Sequence, residues 1–233
     1  GPFNSSLMFY LFILHSLITL VCYLSGVVFY RIFGKKEERD VRPIIFYLIS
    51  GLLLLTAAAQ ILVLFAPLSA SNSLILIGIV LLSWLVTDRQ KSLTLKRVRN
   101  RLQSLTLLQW LCIAAAWLTI LVFNAGPTRM DDTESYHIQM IKWIQEYGTV
   151  PGIVNLHERF GFNSSWFSSV SLFLFSDKNG PSFTALNGVV SLWFCLFIIS
   201  RIGATQQTTL LRMAPLAAVF VLALACWPMI RGN

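Results

Sequence analysis

Six long apolar runs constrain this chain more than any other feature of its sequence. They lie at about 7–30, 44–66, 73–87, 104–125, 182–200 and 211–230. A helix rises roughly 1.5 Å per residue, so it needs about 20 apolar residues to cross the roughly 30 Å hydrocarbon core of a bilayer. Each run is therefore predicted to be a transmembrane helix, and the third is the shortest. The fold class is predicted to be an all-α integral membrane protein with about six spans.

The composition excludes an ordinary soluble protein. Hydrophobic residues make up 56% of the 233 residues and charged residues 12%, against roughly 45–50% and about 25% in soluble domains. The net charge of +8 would suggest nucleic acid for a soluble domain. Here the basic residues adjoin apolar runs, which is how cytoplasmic loops contact anionic lipid. Membrane lipids are thus the expected partner, and nucleic acid is not.

The basic residues also predict the orientation of the chain. The loop 31–42 carries five lysines or arginines, and the loop 89–101 carries six. Both loops are predicted to be cytoplasmic by the positive-inside rule. The loop 66–72 has no charge and is expected on the other side. Counting spans from there places the N-terminus and the loop 126–181 outside, and a bacterial inner membrane is the expected location.

The outer loop concentrates the titratable side chains. Residues 130–166 hold five of the ten acidic residues and two of the three histidines. Charged groups are expensive beside a bilayer, so such a cluster indicates a functional site. The candidate site residues are Asp131, Asp132, Glu134, Tyr136, His137, His157, Arg159 and Asn163.

Simpler roles for these residues stay open. The acidic pair could cap the helix that follows it, because carboxylates bind free N–H groups at a helix start. The two histidines could be interfacial side chains bound by water or backbone, and Arg159 could pair with Glu158. Asn163 begins an Asn-Ser-Ser glycosylation pattern. His15 and Gln60, inside spans, are expected to pack helices together.

Two amphipathic helices are predicted within the outer loop. In 134–147 apolar residues recur at helical spacing, and the helix is expected to end at Gly148, with 151–152 (Pro-Gly) preventing its resumption. The second helix covers 162–175. Fourteen residues reach only about 21 Å, so it is expected to lie in the membrane interface and not to span. Its aromatic side chains would then sit at headgroup depth, and its serines would face water or protein.

Five short motifs follow one another in a characteristic order between residues 132 and 190. They are an acidic start at 132–136 (DTESY), a helix end at 143–148 (WIQEYG), a turn at 150–151 (VP), a second interfacial helix at 162–175 and a span entry at 186–190 (LNGVV). This order resembles the first outer loop of the GT-C superfamily of membrane glycosyltransferases, which includes protein O-mannosyltransferases and the aminoarabinose transferase of lipid A. The resemblance covers about residues 104–203.

The resemblance divides the chain into two regions. Residues 1–103 form an N-terminal three-span region outside the resemblance, in which Gly1 and Pro2 are typical of a protease-cleavage remnant. Residues 104–233 form the GT-C-like module with the outer loop 126–181. The chain stops directly after an apolar run, whereas GT-C enzymes continue into further spans, so it is expected to be the N-terminal part of a longer protein.

The resemblance implies an activity and roles for the candidate residues. Such enzymes transfer a sugar from a polyprenyl-phosphate carrier to a glycan, lipid or protein acceptor on the extracytoplasmic face. Asp132 matches the catalytic carboxylate. Asp131 and Glu134 would support it, and the Asp131–Asp132 pair is a possible site for Mg²⁺ or Mn²⁺. From their chemistry, the residues expected to contact substrate are Tyr136, His137, His157, Arg159 and Asn163. A transporter or flippase of lipid-linked glycans and a non-catalytic membrane scaffold remain alternatives.

The predicted topology can be tested at one position in the outer loop. Glu146→Cys, on a background lacking the four native cysteines, is expected to react with a membrane-impermeant thiol reagent from the extracytoplasmic side. The reason is that the six basic residues of 89–101 hold the preceding loop inside. Labelling in right-side-out and inverted vesicles measures the side, and reaction from the cytoplasmic side alone would overturn the topology.

Overall fold

A computed structural model describes residues 5–34, 42–87, 91–126, 136–161, 164–175 and 183–201, without the side chains of 91–95, 97 and 201. Within these ranges there are helices and no strands, which confirms the all-α prediction. The α-helices are α1 (Ser5–Phe33), α2 (Ile44–Val63), α3 (Ala70–Thr87), α4 (Lys91–Gln103), α5 (Leu107–Asn124), α6 (Ile138–Glu146), α7 (Ser165–Leu172) and α8 (Ala185–Arg201). Two 3₁₀ turns, Ile153–Asn155 and Glu158–Gly161, lie between α6 and α7.

Four of these helices, α1, α2, α3 and α5, are long and apolar enough to cross a membrane. They coincide with the first four predicted spans. The fifth predicted span forms α8, an apolar helix of 17 residues that is a little shorter than the usual span of about 20. The sixth predicted span, 211–230, lies outside the described residues.

The basic segment after α3 folds as a helix where the sequence predicted a loop. Leucine, lysine and arginine favour helix, and no glycine or proline interrupts 91–103. The next helix, α5, begins at a capping box: Thr106 Oγ1 accepts from the Gln109 backbone N–H at 3.3 Å, and Gln109 Oε1 accepts from the Thr106 N–H at 2.8 Å. Gln109 Nε2 also donates to the Ile199 carbonyl at 3.1 Å, which ties the start of α5 to the end of α8.

Helices α1 and α2 pack with their backbones in direct contact. A Cβ atom built on Gly26 would overlap the carbonyl of Tyr47, and one built on Gly51 would overlap the carbonyl of Cys22. Lipid tails are as apolar as the helix surfaces, so helices associate in a bilayer by close packing, which small residues permit. The two glycines therefore set the distance between α1 and α2.

Hydrogen bonds connect α1 to α5 and α8. His15 is fully buried, and its Nδ1 accepts from Trp117 Nε1 at 3.3 Å. The side-chain amide of Asn124 lies 3.0 Å from His15 Nε2, and Trp193 Nε1 donates to Thr19 Oγ1 at 2.9 Å. Polar side chains of this kind hold transmembrane helices together. Helix α1 is thus the central helix, in contact with α2, α3, α5 and α8.

Two backbone hydrogen bonds bind the α2–α3 connection to the chain around α6. The Leu68 N–H donates to the Ile144 carbonyl at 2.9 Å, and the Thr149 N–H donates to the Val63 carbonyl at 3.0 Å. We refer to this pair of bonds as the backbone clamp. It places the uncharged α2–α3 connection and the 136–161 segment at the same end of the helix bundle.

The glycine contact between α1 and α2 generates a stability prediction. Gly26→Ala and Gly51→Ala each force a methyl group into a neighbouring backbone carbonyl, so each is expected to destabilise the protein by about 1–3 kcal/mol or more. Gly78→Ala is the matched control, because a Cβ atom there has no neighbour within 4 Å, and alanine favours helix. Melting temperatures of the purified variants measure the difference. Equal melting temperatures for Gly26→Ala and Gly78→Ala would contradict the close contact.

Candidate functional site

The first predicted interfacial helix forms as α6, with the predicted end. Its apolar residues fall on one face, where Met140, Ile141 and Ile144 are buried. The chain leaves the helix through Gly148, whose φ of +74° favours glycine. A Cβ atom at Gly148 would lie 2.9 Å from the Val63 carbonyl oxygen. The glycine is therefore required both by the backbone conformation and by the closeness of α2.

The chain then reverses and presents a histidine and an arginine. Gly152, with φ of +77°, makes the turn that precedes the two 3₁₀ segments. In the second segment the backbone N–H of Arg159 donates to His157 Nδ1 at 3.1 Å. The His157 ring lies 5.7 Å from the Phe160 ring, and Phe160 lies 4.8 Å from the Trp143 ring on α6. These contacts attach the 157–160 turn to the outer face of α6.

Four of the predicted substrate-binding residues lie close together. The guanidinium carbon of Arg159 is 5.9 Å from the centre of the Tyr136 ring, within the range of a cation–π contact. Tyr136 meets His137 edge-on at 4.2 Å, and His137 lies 5.1 Å from Phe167 on α7. We call the group of Tyr136, His137, His157 and Arg159 the cationic–aromatic cluster. It joins the turn before α6 to the turn before α7.

The acidic residues predicted for catalysis lie outside the described residues, as does one predicted substrate contact. These residues are Asp131, Asp132, Glu134 and Asn163. Within the described ranges, no group of three or more His, Cys, Asp or Glu side chains could hold a metal ion. The roles of the four residues, including the possible Mg²⁺ or Mn²⁺ site, therefore remain predictions. In the sequence, Asp132 is joined to Tyr136 by only three residues.

The second predicted interfacial helix is shorter and more buried than expected. It forms as α7, eight residues long, starting where Ser164 Oγ accepts from the Trp166 N–H at 3.2 Å. At about 1.5 Å per residue it reaches only about 12 Å. Phe167 and Phe173 are buried in the protein, and the expectation that the aromatic side chains of this helix lie at headgroup depth remains a prediction. Helix α7 packs against both α2 and α6, and these helices cover its apolar side chains.

Three of the four serines of α7 (Ser168, Ser169 and Ser171) are buried in the protein, whereas Ser165 is exposed. Ser169 Oγ lies 2.7 Å from Thr56 Oγ1 of α2, and Ser171 Oγ donates to the Ile141 carbonyl of α6 at 3.3 Å. Gln145 Nε2 donates to the carbonyls of Ser171 and Leu174 at 3.2 and 2.8 Å. Each of these bonds joins residues more than twenty positions apart, so local sequence patterns do not predict them. They fix α7 between α2 and α6.

The motif at 186–190 anchors α7 to α8. Trp166 Nε1 donates to Asn187 Oδ1 at 2.7 Å. A Cβ atom on Gly188 would overlap the side-chain amide of Asn124 at the end of α5. The Asn-Gly pair thus brings α7 and α5 to one end of α8, next to the start of the outer loop.

A pocket of about 270 Å³ lies beside the cationic–aromatic cluster. Its walls are the end of α2, part of α6, Ser168 of α7 and residues from 148–161. Trp143 and Phe160 line it, and the Phe160 ring also contacts His157 of the cluster. The sequence does not predict this pocket, and Gln60, which was expected to pack helices together, lines it. A single sequence shows no pattern that would bring 60 close to 143.

Comparison with known proteins yields one family. A family model described as "Domain of unknown function (DUF8201)" matches residues 8–229. No curated protein and no solved structure matches the chain.

The clamp beside the pocket generates a prediction for Gly148. Gly148→Ala adds a Cβ atom at positive φ, which costs about 1–2 kcal/mol, and presses it against the Val63 carbonyl. We expect faster hydrogen exchange at the amides of Thr149 and Leu68, measured by mass spectrometry. Gly152→Ala is the control, because it has the same backbone strain but its nearest neighbour, Asn155 Nδ2, lies 3.4 Å away. Identical exchange at these amides in both variants would show that the contact with α2 has no effect.

Proposed function

The chain belongs to the DUF8201 family, and we propose that it is a membrane glycosyltransferase. The enzyme would move a sugar from a polyprenyl-phosphate carrier to a glycan, lipid or protein acceptor on the extracytoplasmic face of a bacterial inner membrane. One observation carries the proposal. Residues 136–137, which directly follow the acidic segment, pack against the turn that holds His157 and Arg159. The acidic residues Asp131, Asp132 and Glu134 come just before Tyr136 in the sequence, which supports a site that combines carboxylates with these cationic groups.

The cationic–aromatic cluster suits an anionic leaving group. An arginine guanidinium presents several N–H donors in a plane and binds phosphate oxygens through two of them. Arg159 is exposed to solvent, and its guanidinium carbon lies over the Tyr136 ring. His157 is exposed as well and can donate to phosphate from its second ring nitrogen. We assign these two residues to the phosphate of the donor.

The acidic segment would supply the base. A carboxylate at Asp132 would take the proton from the acceptor hydroxyl, whose oxygen then attacks C1 of the sugar. The bond between C1 and the phosphate oxygen breaks, and the polyprenyl phosphate leaves with the bonding electron pair. Donors held ready for that charge, here Arg159 and His157, lower the barrier without reorganising. His137 and Asn163 complete the proposed substrate contacts.

The donor set also suits a divalent cation. Carboxylate oxygens are the ligands that Mg²⁺ and Mn²⁺ prefer, and we propose that Asp131 and Asp132 hold such an ion, with Glu134 as a supporting group. When bound, the ion would supply positive charge at the reacting oxygens. Binding and orientation of substrate remain the work of the cluster residues.

The alternative of a transporter has less support. A transporter would carry ionisable residues near the membrane midplane, in helices that are interrupted there. His15 is a buried titratable side chain in a predicted span, but α1 continues unbroken past it. Both of its ring nitrogens contact side chains of α5. Its contacts are those of a residue that joins helices.

The assignment of Asp132 is tested by a pair of substitutions. Asparagine caps a helix about as well as aspartate, so Asp132→Asn should leave the melting temperature nearly unchanged. Because it removes the base, transfer from a polyprenyl-phosphate-linked sugar should fall by about 10²- to 10⁴-fold. Asp131→Asn should have a milder effect on transfer.

A purely capping role gives the opposite pattern. Asp132→Asn would then transfer normally, while Asp132→Ala would lose about 1 kcal/mol of stability. Transfer and melting temperature are measured on the same variants. Full transfer by Asp132→Asn would remove the support for Asp132 as the catalytic carboxylate.

A further inference from the structure

The pocket beside the cluster has an uncharged lining. It is formed by residues of α2, α6, α7 and the 148–161 segment, and none of the described lining residues is acidic, basic or histidine. A phosphate or carboxylate placed there would find no opposite charge, and moving it out of water would be costly. The pocket therefore suits a neutral ligand, in contrast to the cluster next to it.

The lining also contains polar groups without protein partners. In the described part of the chain, the side chains of Gln60, Trp143, Thr149 and Ser168 make no hydrogen bond. Ser168 is mostly buried, with 3% of its surface exposed, whereas Gln60 and Trp143 are partly exposed and Thr149 is exposed. Water can reach such groups in the free protein, and a ligand that carries several hydroxyl groups can bond to them in place of that water.

Aromatic and apolar side chains complete the pocket. The rings of Trp143 and Phe160 lie 4.8 Å apart at 55° and form one wall, and Met140, Ile144 and Val63 lie on others. A sugar ring has hydroxyls around its edge and a face of C–H groups, and the C–H face packs on aromatic rings. Pockets for larger organic ligands are about 300–1,000 Å³. A pocket of about 270 Å³ matches a single ring.

We infer that the pocket between α2, α6 and residues 148–161 binds one uncharged sugar ring, and that Gln60 selects among sugars through its side-chain amide. The claim that this sugar ring belongs to a transferase substrate rests on the proposed function. Gln60 belongs to the first 103 residues, which lie outside the GT-C resemblance. Sugar selection is thereby assigned partly to the N-terminal three-span region and not only to the outer loop.

Binding is tested on the full chain in lipid nanodiscs, because detergents with sugar headgroups would compete. The probes are the methyl glycosides of glucose, galactose, mannose and N-acetylglucosamine, with glucose 6-phosphate and glucuronate as charged comparators. At least one methyl glycoside is expected to bind saturably, and the charged comparators at least about tenfold more weakly. Saturation-transfer NMR measures both. No binding of any methyl glycoside up to about 100 mM, or equal binding of the charged comparators, would overturn the inference.

Matched substitutions test the residues. Gln60→Leu removes one hydrogen-bonding amide and should weaken glycoside binding about three- to tenfold, as should Ser168→Ala. Gln103→Leu, at an exposed position on α4, should leave binding unchanged. If Gln60→Leu fails to fold, Trp143→Phe with Trp110→Phe as its control replaces it, since phenylalanine keeps a ring but lacks the indole N–H. Native affinity in both Gln60→Leu and Ser168→Ala would overturn the assignment.

A transfer assay separates this inference from the proposed function. If glycosides bind in a Gln60-dependent manner but lipid-linked donors yield no transfer, the pocket is supported and the transferase proposal fails. If transfer depends on Asp132 while Gln60→Leu changes neither glycoside binding nor the KM for donor, the transferase proposal is supported and the pocket assignment fails. Displacement of bound glycoside by a prenyl-phosphate-linked hexose, but not by an acceptor, supports the donor as the source of the ring.

Discussion

The contact between the backbones of α1 and α2 is the constraint on which the rest of the structure depends. In a bilayer, helices gain little from burying apolar side chains against one another, so close approach has to supply the attraction. Gly26 and Gly51 permit that approach. Because α2 is held against the central helix α1, the C-terminal end of α2 at Val63 is a fixed attachment site for residues 136–161. The backbone clamp begins at that point, and the pocket has α2 as one of its walls.

The candidate site therefore combines distant parts of the chain. Helix α6 supplies Trp143, the turn after it supplies Arg159, and α2 supplies Gln60. Helix α7 lies between them and is held by hydrogen bonds to α2, α6 and α8. In the proposed function, charge would be handled by the cationic–aromatic cluster and the neutral sugar by the pocket. The two parts meet at Phe160, which lines the pocket and contacts His157 of the cluster.

The sequence predicted the features that depend on local pattern. Hydrophobic periodicity predicted the first four spans and the helix α6. Glycine chemistry predicted that this helix ends at Gly148. The sequence predicted only that Tyr136, His137, His157 and Arg159 belong to one loop. The structure shows the contacts that bring them together. The burial of Phe167 was not predictable, because the 162–175 pattern is the same whether lipid or protein covers it. The pocket depends on tertiary contacts between residues about eighty positions apart. The acidic segment lies outside the described residues, and its role stays a prediction.

The backbone clamp has a consequence for how this architecture can vary between proteins. Its two bonds join main-chain atoms of Val63, Leu68, Ile144 and Thr149, so they require no particular side-chain hydrogen-bonding group, although Val63, Leu68 and Ile144 are also buried in the core. Gly148 is different, because both its positive φ and its closeness to α2 exclude a Cβ atom. The attachment of the 136–161 segment to the bundle therefore tolerates exchange among apolar side chains at 63, 68 and 144, but not a side chain at 148.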